Sequence, residues 1–218
     1  MPLPSPARAR ARALAALGAV LTATAFAAAP AHAGTPVLTT PTGTVGVGDS
    51  LSTVGATTFQ FGHDDGIKIT CGKVGVVVMV VTNPTAPGDA DLAISSLTVS
   101  GCTISGTTDT PHSITLSGTG TAVVSDGTPL EVAVTSVDVA IALTSGLGTS
   151  TCAFGDTTST AAFVGIIVNP ASGATGGSIT FTNQILPLLS GTSVCGTSGV
   201  LNGVFSTPLD GAQPVYVN

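Results

Sequence analysis

The central stretch Pro129–Leu143 constrains the fold more than any other part of this 218-residue chain. Its apolar residues alternate with small or polar ones, which is the period of a half-buried β-strand and not that of a helix. They form two sets that are out of phase: Leu130, Val132 and Val134, then Val137, Val139, Ile141 and Leu143. One extra residue at Thr135-Ser136 would return both sets to one face, as a β-bulge does. A straight strand here would run about 45 Å, so we expect a bend or break at this slip.

The same pattern occurs forty positions earlier in the chain, in Leu92–Val99. Its apolar spacing matches that of Val132–Val139, and Ser95-Ser96 takes the place of Thr135-Ser136 at the slip. We interpret both stretches as long, bent strands in the core of an all-β domain.

The remaining elements also read as strands and turns. Val74–Val81 is apolar at every position except Gly75, which predicts a strand covered on both faces. The strand that contains Ile179 and Phe181 is expected to end at Pro187. Abundant Thr, Ser, Gly and Val favour an ordered, turn-rich antiparallel fold of the β-sandwich type. A β-solenoid is the alternative, and the lack of a steady repeat counts against it.

Residues 1–33 have the order of features of a secretory signal peptide. Arg8, Arg10 and Arg12 precede the apolar run Ala13–Ala29, and Ala31-His32-Ala33 supplies the cleavage site. The run is short for a transmembrane anchor. We therefore expect residues 34–218 to form one exported domain, extracellular or loosely attached to the cell surface.

The four cysteines, Cys71, Cys102, Cys152 and Cys195, all follow the predicted cleavage site. An even number of cysteines in an exported chain predicts two disulfides. A metal site is disfavoured because the chain has no C-x-x-C spacing. Three connectivities are open, and spacing alone does not choose among them.

Two segments, 43–102 and 120–195, share one order of features. Each has a cysteine, an apolar strand, an Asn-Pro pair (Asn83-Pro84 or Asn169-Pro170), a strand with a polar interruption and a second cysteine. This order suggests a degenerate duplication. If the duplication holds, it favours Cys71–Cys102 and Cys152–Cys195 as the disulfide pairs.

Charge excludes some partners. After loss of residues 1–33, Lys68 and Lys73 are the only Lys or Arg residues, against eleven Asp and Glu. An acidic surface is repelled by nucleic acid and by anionic membranes, so neither is an expected partner.

Gly48-Asp49-Ser50-Leu51 resembles the first block of the GDSL esterases, in which the serine is the nucleophile. The family also uses a histidine in a D-x-x-H near the C-terminus and an α/β/α scaffold. No histidine follows His112, so the sequence has no D-x-x-H near its C-terminus, and it has no amphipathic helix after residue 33. We therefore predict no catalytic residue and treat an esterase that uses Ser50 as the weakest alternative.

The other candidate residues are better interpreted as turn or core residues than as binding sites. His63-Asp64-Asp65-Gly66 and the pair Asp89 and Asp91 offer carboxylates, but calcium needs six to eight oxygen ligands. We predict no metal and no cofactor. Carbohydrate sites usually present Trp or Tyr, whereas the aromatic residues after residue 33 are Tyr216 and six phenylalanines expected in the core: Phe59, Phe61, Phe154, Phe163, Phe181 and Phe205.

With its signal, its paired cysteines, Ser96–Cys102 (SLTVSGC) and Pro214–Asn218 (PVYVN), the chain resembles uncharacterised secreted proteins of high-GC actinobacteria. Its plan of strands and cysteines also resembles, more distantly, the secreted bacterial activators of alkane oxidation. The resemblance implies a secreted β protein that acts near hydrophobic material, and it transfers no functional residue.

The sequence thus predicts a secreted, non-enzymatic β protein with a structural, surface-associated or hydrophobic-ligand-binding role. The specific alternative is a carrier of a small apolar molecule. The expected partners are a small hydrophobic molecule and a cell-surface component. The sequence leaves open the ligand, the oligomeric state and whether calcium binds.

Overall fold

The computed structural model describes residues 34–62, 66–106, 110–117, 120–145, 148–155, 163–171 and 176–218. The predicted signal peptide and His63-Asp64-Asp65 lie outside these residues. Within the described part the chain forms strands and one short 3-10 turn (Ser193–Cys195), which confirms the all-β prediction. No helix in this part is long and apolar enough to span a membrane.

The strands follow one another along the chain with short connections. In order they are β1 (Leu38–Thr40), β2 (Gly43–Thr44), β3 (Ser50–Phe61), β4 (Ile67–Val80), β5 (Asp89–Ser105), β6 (Thr110–Ser117), β7 (Thr121–Ser125), β8 (Glu131–Thr135), β9 (Asp138–Ser145), β10 (Gly148–Gly155), β11 (Phe163–Val168), β12 (Ser178–Ser190), β13 (Ser198–Ser206), β14 (Leu209–Asp210), β15 (Gln213–Pro214) and β16 (Tyr216–Val217).

Eight of these strands close into an antiparallel barrel. Their order is β3-β4-β5-β7-β8-β11-β12-β13, and β13 pairs back onto β3 from Gly199↔Phe61 to Phe205↔Gly55. The architecture therefore differs from the predicted sandwich, because one sheet closes on itself. Closure leaves no barrel strand with an unpaired edge along its whole length.

Two smaller sheets complete the fold, together with the short pair β14–β15, which is attached to β3 through β14. The first, which we call the annex, consists of β6, β9 and β10; β10 pairs with the second half of β12 at Phe154↔Leu188, and β6 lies beside β5. The second, which we call the cap, consists of β16, β1 and β2. The cap covers the barrel end where β4 finishes, since Asn83 just beyond β4 binds Leu38 of β1.

The slip in the central stretch is a break between two strands. β8 ends at Thr135, Ser136 has a positive φ of 58°, and β9 begins at Asp138. β8 belongs to the barrel and β9 to the annex. Val132 and Val134 nevertheless line the same interior cavity as Val139. Both apolar sets therefore face the interior, as predicted, but the single long, bent strand expected here is two strands in different sheets.

The slip at Ser95-Ser96 is a β-bulge. Val77 pairs with Ser96, while the next residue, Val78, pairs with Ile94, so that Ser95 is the extra residue. The apolar residues on both sides of the bulge face the interior cavity: Leu92, Ile94, Leu97 and Val99. This strand is continuous, as the sequence predicted.

Pro187 does not end its strand, so that prediction is wrong. β12 continues to Ser190, with Pro187 opposite Ser198 in β13. The irregularity lies earlier, between Phe181 and Gln184, where Asn183 has a positive φ of 50°. At this irregularity the inward-facing side chains of β12 change from odd to even positions, since Ile179 is buried before it and Leu186 after it.

Val74–Val81 was predicted to be covered on both faces, and the structure corrects this. Val74, Val76 and Val78 line the interior cavity. On the outer face Met79 is 43% exposed, and Val81, just after the strand, is 45% exposed. A closed barrel has one buried face, so an apolar run does not require a second layer.

Both disulfides form with the pairing that the duplication favoured. Cys71 and Cys102 face each other in the neighbouring strands β4 and β5. Cys152 of β10 is joined to Cys195 of the 3-10 turn, and both are fully buried. The second disulfide therefore ties the annex to the barrel, whereas the first reinforces a pair of strands already joined by hydrogen bonds.

We predict different local effects from removing the two disulfides. Loss of either one should lower the free energy of unfolding by about 4 kcal/mol in the chain-entropy model. The paired variant Cys152→Ala with Cys195→Ala should also speed amide hydrogen exchange selectively in β9 and β10. Cys71→Ala with Cys102→Ala is the control, and equal acceleration of β9 and β10 in both variants would contradict the anchoring role.

Candidate ligand-binding cavity

The barrel holds an apolar cavity of about 200 Å³ that is partly open to solvent. All eight barrel strands contribute side chains to its wall, and the annex adds residues from β9. Representative wall residues are Leu51, Val76, Leu97, Val124, Val132 and Ile179. The cavity thus extends among the core side chains inside the barrel.

The size of the residues on the wall explains why the core is not filled. An eight-stranded barrel has an interior just wide enough for side chains to fill it or to hold one small ligand. Valine recurs along the wall, and β7 presents only Ala122 and Val124 to the cavity. These short side chains do not reach the barrel axis, so a space remains.

Three phenylalanines fill the interior toward the annex. Phe59 and Phe61 come from β3 and Phe154 from β10, and their ring centroids lie 5.1 to 5.7 Å apart. All three are buried. A Cβ at Gly199 of β13 would collide with the ring of Phe59, so glycine is needed there for the ring to pack. The aromatic cluster therefore fills this part of the interior.

All six phenylalanines predicted for the core lie on or near it. Phe205 is buried and packs edge-on against Phe181, with ring centroids 5.9 Å apart. Phe163 and Phe181 are half-buried and line the cavity. Tyr216 is half-buried in the cap. Aromatic side chains therefore serve as core and cavity wall.

At the other end the cap is held by two asparagine side chains. The Asn83 amide binds both backbone groups of Leu38, since its Oδ1 accepts from the Leu38 N–H and its Nδ2 donates to the Leu38 carbonyl, each at 2.8 Å. Nδ2 also donates to the Val45 carbonyl at 2.8 Å. Asn169 does the same for Val217, at 2.9 Å to its N–H and 2.6 Å to its carbonyl.

These contacts converge on one point of the cap, because Leu38 and Val217 are partners in the β1–β16 ladder. Both residues also line the cavity. The sequence analysis used the two Asn-Pro pairs only as matching features of the two segments and missed the role of their side chains. Their occurrence at equivalent places in the two segments was the signal that could have revealed it.

Thr207 is the buried polar side chain of the wall. It is 4% exposed, and its hydroxyl has no hydrogen-bond partner among the described residues. Two other polar residues of the wall are engaged: the Thr53 hydroxyl donates to the Ser206 carbonyl at 2.6 Å, and both ends of the Asn169 amide are occupied. Sequence reasoning gave no reason to single out Thr207.

The residues of the esterase-like block form a turn. The Asp49 carboxylate accepts a hydrogen bond from the Gly46 N–H at 2.6 Å, as is usual for Asp in turns. Ser50 is the exposed first residue of β3. Because the described part of the chain holds no α-helix, it offers no α/β/α scaffold for a GDSL-type site.

Asp89 and Asp91 lie in β5 and bind neighbouring side chains. The Asp89 carboxylate accepts from the Ser125 hydroxyl at 2.6 Å, and that of Asp91 accepts from the Thr82 hydroxyl at 2.8 Å. Across the described ranges, no three His, Cys, Asp or Glu side chains are grouped as a metal site would require.

Comparison with known proteins yields no relative: no protein family, no curated protein and no solved structure matches the chain.

We predict that Asn169→Ala destabilises the protein by about 2 to 3 kcal/mol, because two backbone groups of Val217 lose their partner in a partly buried place. Asn83→Ala should cost at least as much, since three hydrogen bonds are lost. Asn202→Ala is the control, since its Oδ1 accepts one exposed backbone N–H. Urea unfolding gives the free energy of unfolding of the three variants. An equal loss of stability in Asn202→Ala and Asn169→Ala would contradict the proposed role of Asn169 in holding the cap.

Proposed function

We propose that the protein binds one small apolar molecule inside its barrel. The observation that carries this proposal is the cavity of about 200 Å³ inside the barrel, with a wall made mainly of aliphatic and aromatic side chains. Apolar cavities stay dry, and an engineered one of about 150 Å³ binds benzene. In proportion, the present cavity suits a ligand of about eight carbon atoms.

The energetic cost of the cavity supports a ligand. Apolar space left unfilled inside a core lowers stability in proportion to its volume, so a ligand that fills such space stabilises the fold. Single larger residues at Ala122 or a neighbouring valine would remove much of this cost. A cavity wall built from short side chains on all sides favours a binding role.

We further propose that the protein is exported and acts outside the cell without catalysing a reaction. The signal-like residues 1–33 support export, as does the resemblance to secreted actinobacterial proteins. Two disulfides persist best in an oxidising compartment. The low number of cations in residues 34–218 argues against a nucleic-acid partner.

A duplication of segments 43–102 and 120–195 is part of the same proposal. Asn83 and Asn169 make matching contacts to the partnered residues Leu38 and Val217. In each segment the strand after the Asn-Pro pair carries an irregularity, at Ser95 in β5 and near Asn183 in β12. These paired features support two related halves that close one barrel.

We predict that Ala122→Leu abolishes ligand binding without harming the fold. Ala122 is 4% exposed and lines the cavity, so three added carbons should occupy the space and raise stability by about 2 kcal/mol. Ethylbenzene is a suitable probe, followed by calorimetry and by the rise in melting temperature that binding produces. Binding should fall at least ~10-fold in the variant.

The matched control is Ala56→Leu, which adds the same atoms at an exposed position of β3. It should bind ethylbenzene like the unmodified protein. Failure of the unmodified protein to bind ethylbenzene or any other probe of this size would refute the proposed function. Undiminished binding by Ala122→Leu would place the site elsewhere. Native mass spectrometry of the exported protein reports the natural ligand, the thiol state and the processed terminus.

We predict no covalent labelling by a fluorophosphonate. Ser50 begins an exposed strand, and the adjacent Asp49 carboxylate is engaged in its turn. Intact-mass analysis should therefore give the same mass for the treated protein and for the treated Ser50→Ala variant, apart from the substitution. Labelling that disappears in Ser50→Ala would restore the esterase alternative.

A further inference from the structure

Four neighbouring strands of the barrel carry no charged residue. β11, β12, β13 and β3 follow one another around the barrel, and none of their 6, 13, 9 and 12 residues is Asp, Glu, Lys, Arg or His. The flanking strands are charged, since Ile166 of β11 pairs with Glu131 and Gln60 of β3 pairs with Lys68. We call the outward side of these four strands the uncharged face.

The uncharged face exposes most of the large apolar side chains that the described residues leave in contact with solvent. Eleven such side chains are exposed, and seven of them lie on this face, with exposed fractions of 36% to 71%: Val54, Val164, Ile166, Val168, Ile185, Leu189 and Val204. A row of paired residues, Ile166, Thr180, Val204 and Ala56, crosses all four strands. A monomer rarely exposes a large contiguous patch of this kind, and such a patch marks an interaction surface.

The polar groups of the uncharged face are able to bind their own kind. They are hydroxyls and amides, such as those of Thr58, Thr180 and Gln60. A hydroxyl or an amide group both donates and accepts hydrogen bonds, whereas a carboxylate only accepts and an ammonium only donates. A second copy of the same face therefore offers a partner to each polar group and an apolar surface to each valine and isoleucine. Depletion of charge is also typical of the centre of a protein–protein interface.

The remaining surface disfavours contact between copies. Lys68 and Lys73 are the only Lys or Arg residues in 34–218, against eleven Asp and Glu, so two copies repel each other. The uncharged face lets them meet without placing acidic groups against acidic groups. Its strands cover about 600 Å² of sheet at ~3.3 Å per residue and ~4.8 Å between strands. This area approaches the 800 Å² or so that a standard interface buries on each partner.

We infer that two copies of the protein associate through the uncharged face to form a two-fold symmetric dimer. The barrel surface is curved, so β12 and β13, in the middle of the face, form the centre of the contact. The inner sides of the same strands line the cavity, so the dimer leaves the cavity in place. The inference is independent of the proposed ligand.

Sedimentation velocity of the exported protein over a range of concentrations tests the dimer. The unmodified protein should show a reversible equilibrium between monomer and dimer. Val204→Glu should raise the dissociation constant at least ~100-fold, because symmetry places two like charges in the interface. Met79→Glu is the matched control, since Met79 is an exposed apolar residue of β4 outside the face and the charge change is the same. This control should dimerise like the unmodified protein.

Salt distinguishes an uncharged interface from an ionic one. Screening of the repulsion between two acidic copies should lower the dissociation constant as the salt concentration rises. Circular dichroism checks that each variant folds. Ile185→Glu, at the most exposed apolar position of the face, replaces Val204→Glu if the latter does not fold.

Four outcomes would overturn the inference. These are a monomer at every concentration, an equal loss of dimer in Met79→Glu, a dimer that persists in both face variants, and a dimer that weakens as salt is added. Binding of the monomeric protein to phosphatidylcholine vesicles, lost in Val204→Glu, would instead assign the face to a lipid surface and also overturn the dimer.

Discussion

All the strands must turn their apolar side chains toward one closed interior, and this requirement organises the whole structure. A strand that runs from the barrel to the annex cannot place all its apolar side chains in the interior if inward and outward residues alternate without a break. The alternation is reset at Ser95 in β5, near Asn183 in β12 and at Ser136 between β8 and β9. In β12 the neighbouring strand changes there from β11 to β10, and between β8 and β9 the chain itself passes from the barrel to the annex. β4 also changes phase, between Cys71 and Val74, while β3 and β5 remain its neighbours.

The local part of this arrangement could be read from the sequence, but the global part could not. The slips at Thr135-Ser136 and Ser95-Ser96 were visible because an alternating pattern records which side chains share a face. The pattern does not record which strands are neighbours, and a sandwich and a barrel need the same alternation. The pairing of β13 with β3 therefore escaped prediction, and with it the cavity. The prediction that Pro187 ends its strand was wrong for a related reason. A proline considered alone does not show which strand its backbone lies against.

The functional assignment shows a similar division. The absence of a strong catalytic motif and the apolar, acidic character of the chain directed attention to binding. The residues that shape the cavity and hold its cap, Ala122, Asn83 and Asn169, carry no motif of their own. Alanine on the wall matters through the space that it leaves, and the asparagines matter through backbone groups remote in sequence. Such roles exist only once the chain is folded.

The ladder between β13 and β3 has a consequence for how the protein assembles. It joins the first long strand of the barrel to the last, so it forms only after nearly all of the chain is available. Contacts this distant in sequence are associated with slow folding. Until β13 arrives, the edge of β3 offers unpaired backbone groups beside the valine-rich β4. A delay at this last step would favour pairing of that edge with another copy of the chain, so the seam that completes the barrel is also where misassembly begins.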